Sequence, residues 1–246
     1  EGFELFDNFL AVVERRSGLA RIRVIGGKDK SEREIDFGEE TYSASLGENR
    51  ESRTDWLRFD YSSLTTPDSV YDYNMATQEK KLLKRQEVLG AFKPEDYQTE
   101  RLLATASDGT KIPVSVVYRK GFPKNGDHPL LLYGYGSYGA SETDDFSAAR
   151  LSLLDRGFAF AIAHIRGGSE LGRAWYDDGK LLHKRNTYSD FIACAEYLVK
   201  QKYTSPRSMF ANGLSAGGML MAVVANWRPD LFNGILAEVP WTDVVT

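Results

Sequence analysis

Cysteine is almost absent: Cys194 is the only one in 246 residues. That excludes an internal disulfide framework and fits a reducing compartment. Cys194 lies in an apolar helical run, so a buried structural thiol is expected. Long hydrophobic runs are missing as well, and none approaches the roughly 18 residues of a transmembrane helix. Positive charge is not in excess. A formal net charge of −4 leaves no electrostatic footprint for nucleic acid. Histidine is scarce: His128, His164 and His183 are the three, and none follows them. The sequence starts without an initiating Met, and no signal-peptide pattern is expected in its first residues. It opens on Glu1-Gly2-Phe3 in a strand-like pattern, so further residues are expected to precede it.

What is present is a soluble globular composition, 42% hydrophobic and 27% charged, long enough for one large domain or two modest ones. The first third is β-rich. Apolar alternation over 9–15 and 19–25 flanks Arg16-Ser17-Gly18, a hairpin signal. Further strand-like runs cover 56–63, 69–74 and 81–87, with Thr65-Thr66-Pro67-Asp68 as a turn. No clean repeat chooses among sandwich, barrel and propeller. Residues 88–98, with Gly90 and Pro94, read as a linker. Beyond them strands alternate with helices. Strands are expected over 101–106, 112–118, 129–134, 158–163, 207–212 and 234–239, and helices over 145–156, 187–202 and 216–226. That alternation is a doubly wound α/β sheet. Ser107-Asp108-Gly109-Thr110 joins its first two strands as a hairpin.

Gly213-Leu214-Ser215-Ala216-Gly217-Gly218 falls between an apolar strand and an apolar helix. A bare G-x-S-x-G is common by chance. At a strand-to-helix junction it is the nucleophile elbow of an α/β-hydrolase. The turn must push the serine out on strained backbone, so positions 213 and 217 must lack side chains and Ser215 is expected at φ > 0. Its place at a helix N-terminus favours a developing oxyanion.

Gly134-Tyr135-Gly136-Ser137-Tyr138-Gly139 matches the dinucleotide fingerprint G-x-G-x-x-G. No helix opens at its third glycine, and the next strand ends in His164-Ile165-Arg166 with no acid for a ribose. In a hydrolase this loop supplies the second oxyanion donor. The triad of that fold runs Ser, acid, His, yet all three histidines precede Ser215 and read as structural. Asp230 and Asp243 follow the serine too closely to be the acid. The abrupt ends favour a fragment cut before its acid and base. The loop from Arg166 to Lys180 is either a surface Ω-loop or substrate-facing. Glu142, Asp144 and Asp145 form an acidic cluster, solvated by default. Beside a catalytic serine it would select a cationic substrate.

Leu131-Leu132-Tyr133-Gly134-Tyr135-Gly136-Ser137-Tyr138-Gly139, Ile165-Arg166-Gly167-Gly168-Ser169-Glu170-Leu171-Gly172, Tyr203-Thr204-Ser205-Pro206 and the Ser215 elbow resemble the prolyl oligopeptidase family of serine peptidases. The stretches 150–158 and 215–221 are similar to its oligopeptidase B branch. The resemblance implies an α/β-hydrolase with a mostly parallel sheet, incomplete at its C-terminus and preceded by β-propeller blades. Residues 1–90 would be the last blades of a seven-bladed propeller, and 91–246 the first two-thirds of the peptidase domain. It also implies Ser215 as nucleophile, with the Tyr135 hydroxyl and the Ala216 N–H as oxyanion donors. The acid and histidine would lie beyond Thr246. Asp145 matches one of two aspartates that bind basic residues. Thr143 stands where the other belongs, with Glu142 and Asp144 beside it, and Tyr138 joins these as a substrate-binding residue. The implied function is cytoplasmic cleavage of short peptides after Arg or Lys, with no metal, cofactor, nucleic acid or membrane. The chain alone would be inactive. The elbow by itself also fits a carboxylesterase, and the missing histidine fits a non-catalytic interaction protein.

Overall fold

The computed structural model describes residues 2–243 and divides into two compact units. One is built from the residues up to Pro94 together with Thr143–Ser147. The other comprises Glu95–Glu142 and the residues from Ala148 onward.

The first unit holds two four-stranded antiparallel meanders, each with its strands in sequence order. These are β1 (Gly2–Leu5), β2 (Phe9–Arg16), β3 (Leu19–Gly26) and β4 (Glu32–Glu34), then β5 (Ser43–Leu46), β6 (Trp56–Ser62), β7 (Ser69–Asn74) and β8 (Lys80–Arg85). Ser17 and Gly18, at φ 52° and 83°, make the tight β2–β3 turn, whose twist matches the strands it joins. Ile22, Val24, Leu57, Phe59 and Tyr73 share one apolar cluster across both meanders. Sequence reading missed β4 and β5. β4 has no apolar alternation because charge holds it: Arg21 donates to Glu34 at 2.8 Å and Arg23 to Glu32 at 3.0 Å. Glu39 accepts hydrogen bonds from Tyr61, Ser63, Thr65 and Thr66, which accounts for the hydroxyl-rich turn after β6.

The second unit contains β9 (Tyr97–Thr105), β10 (Lys111–Arg119), β11 (Leu130–Tyr133), α1 (Ala148–Leu154), β12 (Ala159–Ala163), α2 (Arg173–Asp177), α3 (Arg185–Lys200), β13 (Met209–Leu214), α4 (Ala216–Trp227) and β14 (Gly234–Glu238). Its sheet runs β14-β13-β11-β12-β10-β9. β11, β12, β13 and β14 pair in parallel, while β9–β10 and β10–β12 are antiparallel. β10 is buried from Ile112 to Tyr118, as a strand covered on both faces must be. α3 buries Phe191, Cys194, Ala195 and Leu198, one stripe at helical spacing. Cys194 is free and fully buried.

Several boundaries depart from expectation: β9, expected over 101–106, already starts at Tyr97, within the 88–98 stretch read as a linker, and two others matter more for the site. The helix expected over 145–156 is confined to Ala148–Leu154, because Thr143–Ser147 belongs with the first unit. There Ser43 and Thr143 donate to the Asp145 carboxylate, and the Phe146 N–H donates to Ser62 Oγ at 3.1 Å. The strand expected over 207–212 runs instead to Leu214, so Ser215 follows it directly and α4 begins at the next residue. Among the described residues no helix is long and apolar enough to cross a membrane.

Candidate active site

The sheet order places the site. From β11 the chain crosses to β12 on one side, then returns past β11 to β13 on the other. Such a switch in direction opens a crevice beyond the carboxyl ends of the strands. Tyr133 pairs with Asn212, and the Gly134 N–H donates to the Asn212 carbonyl at 3.2 Å. The Tyr135 loop and the Ser215 turn therefore leave adjacent parallel strands at the same end.

Ser215 sits at φ 57°, ψ −113°, a conformation that costs energy for any residue with a Cβ. Its own backbone holds it there. The Ser215 N–H donates to the Glu238 carbonyl at 2.9 Å, and its carbonyl accepts from Trp241 N–H at 3.1 Å. The turn explains its glycines. A Cβ on Gly213 would stand 2.3 Å from the Gly217 carbonyl oxygen, and one on Gly217 would stand 2.8 Å from that of Gly134. The Ser215 side chain makes no capping bond to α4. The Ala216 N–H lies in the first turn of α4, where amides have no intrahelical acceptor.

Tyr135 packs against this turn. Its Cα and Cδ2 would each lie 3.4 Å from a Cβ on Gly217. Burial raises its phenol pKa, with Tyr138 and Glu142 adding to the effect. Tyr138 itself is exposed, at φ 59°. The loop's carbonyl side is pinned from below. Lys184 Nζ donates to the Gly136 carbonyl at 2.5 Å and to Ser137 Oγ at 2.7 Å. The Gly139 N–H donates to the Gly167 carbonyl at 3.0 Å, and Ser169 Oγ to the Gly139 carbonyl at 2.6 Å.

The second loop is not an open surface loop. Arg166, Gly167, Gly168 and Glu170 are buried. The Arg166 guanidinium grips Asp190 of α3 with two bonds of 2.8 and 2.6 Å and reaches Asp108 at 2.7 Å. His164 and Glu170 are both 2% exposed. His164 Nε2 shares a hydrogen bond of 2.8 Å with Ser115, and its Nδ1 stands 3.9 Å from Glu170 Oε1. His128 lies against Phe122 and His183 in an exposed turn before α3, so each of the three histidines sits in a setting of its own.

The acidic residues fall in two places. Glu142 lies beside Glu170, whose Oε1 accepts its N–H at 2.9 Å. Burial first, and the Glu170 charge second, push the Glu142 carboxyl up to about 7, against the opposing effect of His164. Asp144 and Asp145 belong to the segment that joins the first unit, where Asp144 is only 3% exposed. Sequence reasoning missed Lys184, Glu170 and the Arg166–Asp190 pair. Only the unmatched polar character of 166–170 hinted at them.

Two antiparallel meanders followed by a sheet with a strained serine at a β-strand-to-helix turn define a propeller-linked α/β-hydrolase. The chain belongs to the prolyl oligopeptidase family. The family's catalytic model, "Prolyl oligopeptidase family", matches residues 144–246, and its "N-terminal beta-propeller domain" matches residues 1–86. Dipeptidyl aminopeptidase BI of Pseudoxanthomonas mexicana is 51% identical over 100% of this chain and 34% of that protein. Protease 2 of Moraxella lacunata is 42% identical over 98% of this chain and 35% of that protein. The solved structure of oligopeptidase B from Leishmania major superposes with a TM-score of 0.88 at 46% identity, over 99% of this chain and 35% of that one. The chain thus spans about a third of the length of these relatives.

Proposed function

We propose that the complete protein is a serine peptidase that cuts short peptides after Arg or Lys through an acyl-enzyme on Ser215. The observation that carries the reading is the strained Ser215 at the end of β13, beside the Tyr135 loop at the end of β11. In this reading Ser215 Oγ attacks the scissile carbonyl. The developing oxyanion takes hydrogen bonds from the Ala216 N–H and the Tyr135 hydroxyl, at the positive end of α4. The general base and its acid come from outside residues 1–246. Residues 1–90 act as propeller blades that screen substrates by size, 91–246 as part of the peptidase domain, and the setting is cytoplasmic.

On the family resemblance, Glu142, Asp145 and Tyr138 are the residues proposed to contact a basic side chain. Asp144 is nearly closed to solvent and contributes through charge. The departure at Thr143 leaves one family aspartate unmatched, so Asp145 carries the preference. The test is kcat/KM of the complete protein on dibasic and neutral peptides. Ser215→Ala should abolish turnover. Tyr135→Phe should lower it roughly 10–10³-fold on every peptide. Asp145→Asn should lower it on basic peptides alone, by about 1–3 kcal/mol in transition-state binding. An equal loss on both peptides would leave the acids without a part in choosing a basic side chain. Turnover of simple esters without peptides would return the carboxylesterase reading.

A second reading has its own support. The relative at 51% identity is named a dipeptidyl aminopeptidase. Peptides with blocked and free N-termini separate the two: release of dipeptides from free termini alone means an exopeptidase, and cleavage of blocked peptides means an endopeptidase.

A further inference from the structure

Lys184 occupies a costly place. It precedes α3 directly, at the cap position, where the helix dipole opposes a cation and Ser, Thr or Asp is preferred. It is half-buried, and burial lowers its ammonium pKa to about 8. Among the described residues no carboxylate pairs with it. The Tyr188 ring, 5.9 Å away, is the aromatic surface it faces. What the ammonium does make is two charge-assisted bonds, at 2.5 Å to the Gly136 carbonyl and 2.7 Å to Ser137 Oγ.

Those acceptors belong to the two residues that follow Tyr135, on either side of the Gly136–Ser137 peptide. Gly136 is at φ 65°, and a Cβ on it would stand 2.5 Å from Thr187 Cγ2 and 2.7 Å from Ile165 Cγ1. Its carbonyl oxygen would stand 2.0 Å from a Cβ on Gly167. Residues 136–138 therefore fit one shape, with glycine required at 136 and a left-handed Tyr138 closing the turn. A surface lysine solvated by water would do none of this. Nor is stability a sufficient reason to keep it, since desolvation and the dipole both count against it.

We infer that Lys184 is a positioning residue for Tyr135. Its ammonium fixes the Gly136–Ser137 peptide, and that peptide fixes the direction in which the Tyr135 side chain leaves the loop toward the Ser215 turn. The inference rests on the reading of Tyr135 as an oxyanion donor. A misplacement of about 1 Å at such a donor costs up to about 100-fold in rate.

The test is a double-mutant cycle in the complete protein, with kcat and KM measured separately on one peptide. Lys184→Met should lower kcat by roughly 5–50-fold with KM within about twofold, since an interaction made in the transition state is lost. In a Tyr135→Phe background the same change should cost less than about twofold, because the donor it positions is gone. Lys184→Arg, which keeps charge and donors, should retain more of kcat than Met does. Equal losses in both backgrounds would overturn the inference, as would no loss at all. A Tyr135→Phe enzyme as fast as wild type would remove the oxyanion reading and this inference with it. A slow Tyr135→Phe enzyme with additive losses would remove this inference alone. Should Lys184→Met not fold, Ser137→Ala, which deletes one acceptor, runs the same cycle: a kcat loss that vanishes with Tyr135→Phe supports the inference, and an additive one overturns it.

Discussion

Glu142 carries a pH dependence that its neighbours dictate. A carboxyl raised from 4.5 to about 7 is one that the folded protein holds protonated longer than the unfolded chain does. Between those values the folded state binds more protons, so stability falls as pH rises through the window, and the full penalty stands above it. Glu142→Gln removes the titration. Relative to wild type, the variant should gain about 1–3 kcal/mol between pH 4 and pH 8, a range discounted for the partly open site. Urea midpoints at the two pH values check this, and an unchanged gap would show that Glu142 ionises as freely in the fold as outside it. Residues at this scale were unevenly legible. Ser215 announced itself because steric need writes glycines at fixed spacing around it. Glu142 read only as part of an acidic run, because what raises its pKa is burial first and then the charge of Glu170, 28 positions away, and both come from loop packing.

At the scale of elements, the longer strands and helices were read within a few residues, because apolar periodicity reports burial directly. The failures share a cause. β4 and β5 are three and four residues long, and β4 is built of Glu and Arg. Residues 145–147 looked helical because local pattern cannot reveal that Asp145 is claimed by Ser43, 102 positions earlier. The bond that joins the β12 loop to α3 was equally invisible. Arg166, with its side chain 6% exposed, meets Asp190, fully buried, and Asp108, 46% exposed. Asp190→Asn leaves the guanidinium largely uncompensated inside the protein, so it should cost about 3 kcal/mol. Asp108→Asn removes a solvent-screened partner and should cost under about 1 kcal/mol. Thermal or urea unfolding of the two variants decides it: equal losses would mean that the buried bond adds nothing beyond its exposed companion.

The two-unit organisation was visible as a change of rhythm near residue 98, from strands alone to strands alternating with helices. The structure's division falls at Pro94. The choice of propeller over sandwich was not visible, since the two meanders repeat a pattern of burial and not of residues. At this largest scale the proposed chemistry requires a general base for Ser215, which the proposal assigns to residues outside 1–246. Ser215 Oγ is a weak nucleophile unless a base takes its proton. His164 is committed to Ser115 inside the second unit, His128 lies against Phe122, and His183 is in the exposed turn before α3. None is hydrogen-bonded to Ser215 among the described residues. Residues 1–246, expressed alone, should therefore react with a fluorophosphonate on the order of 10⁴–10⁶ times more slowly than the complete protein, the usual consequence of losing triad members. Active-site labelling followed by mass spectrometry of the Ser215 peptide measures the ratio. Rapid labelling of the isolated chain would mean that one of its own histidines serves as the base, and the division of catalytic labour proposed above would have to be abandoned.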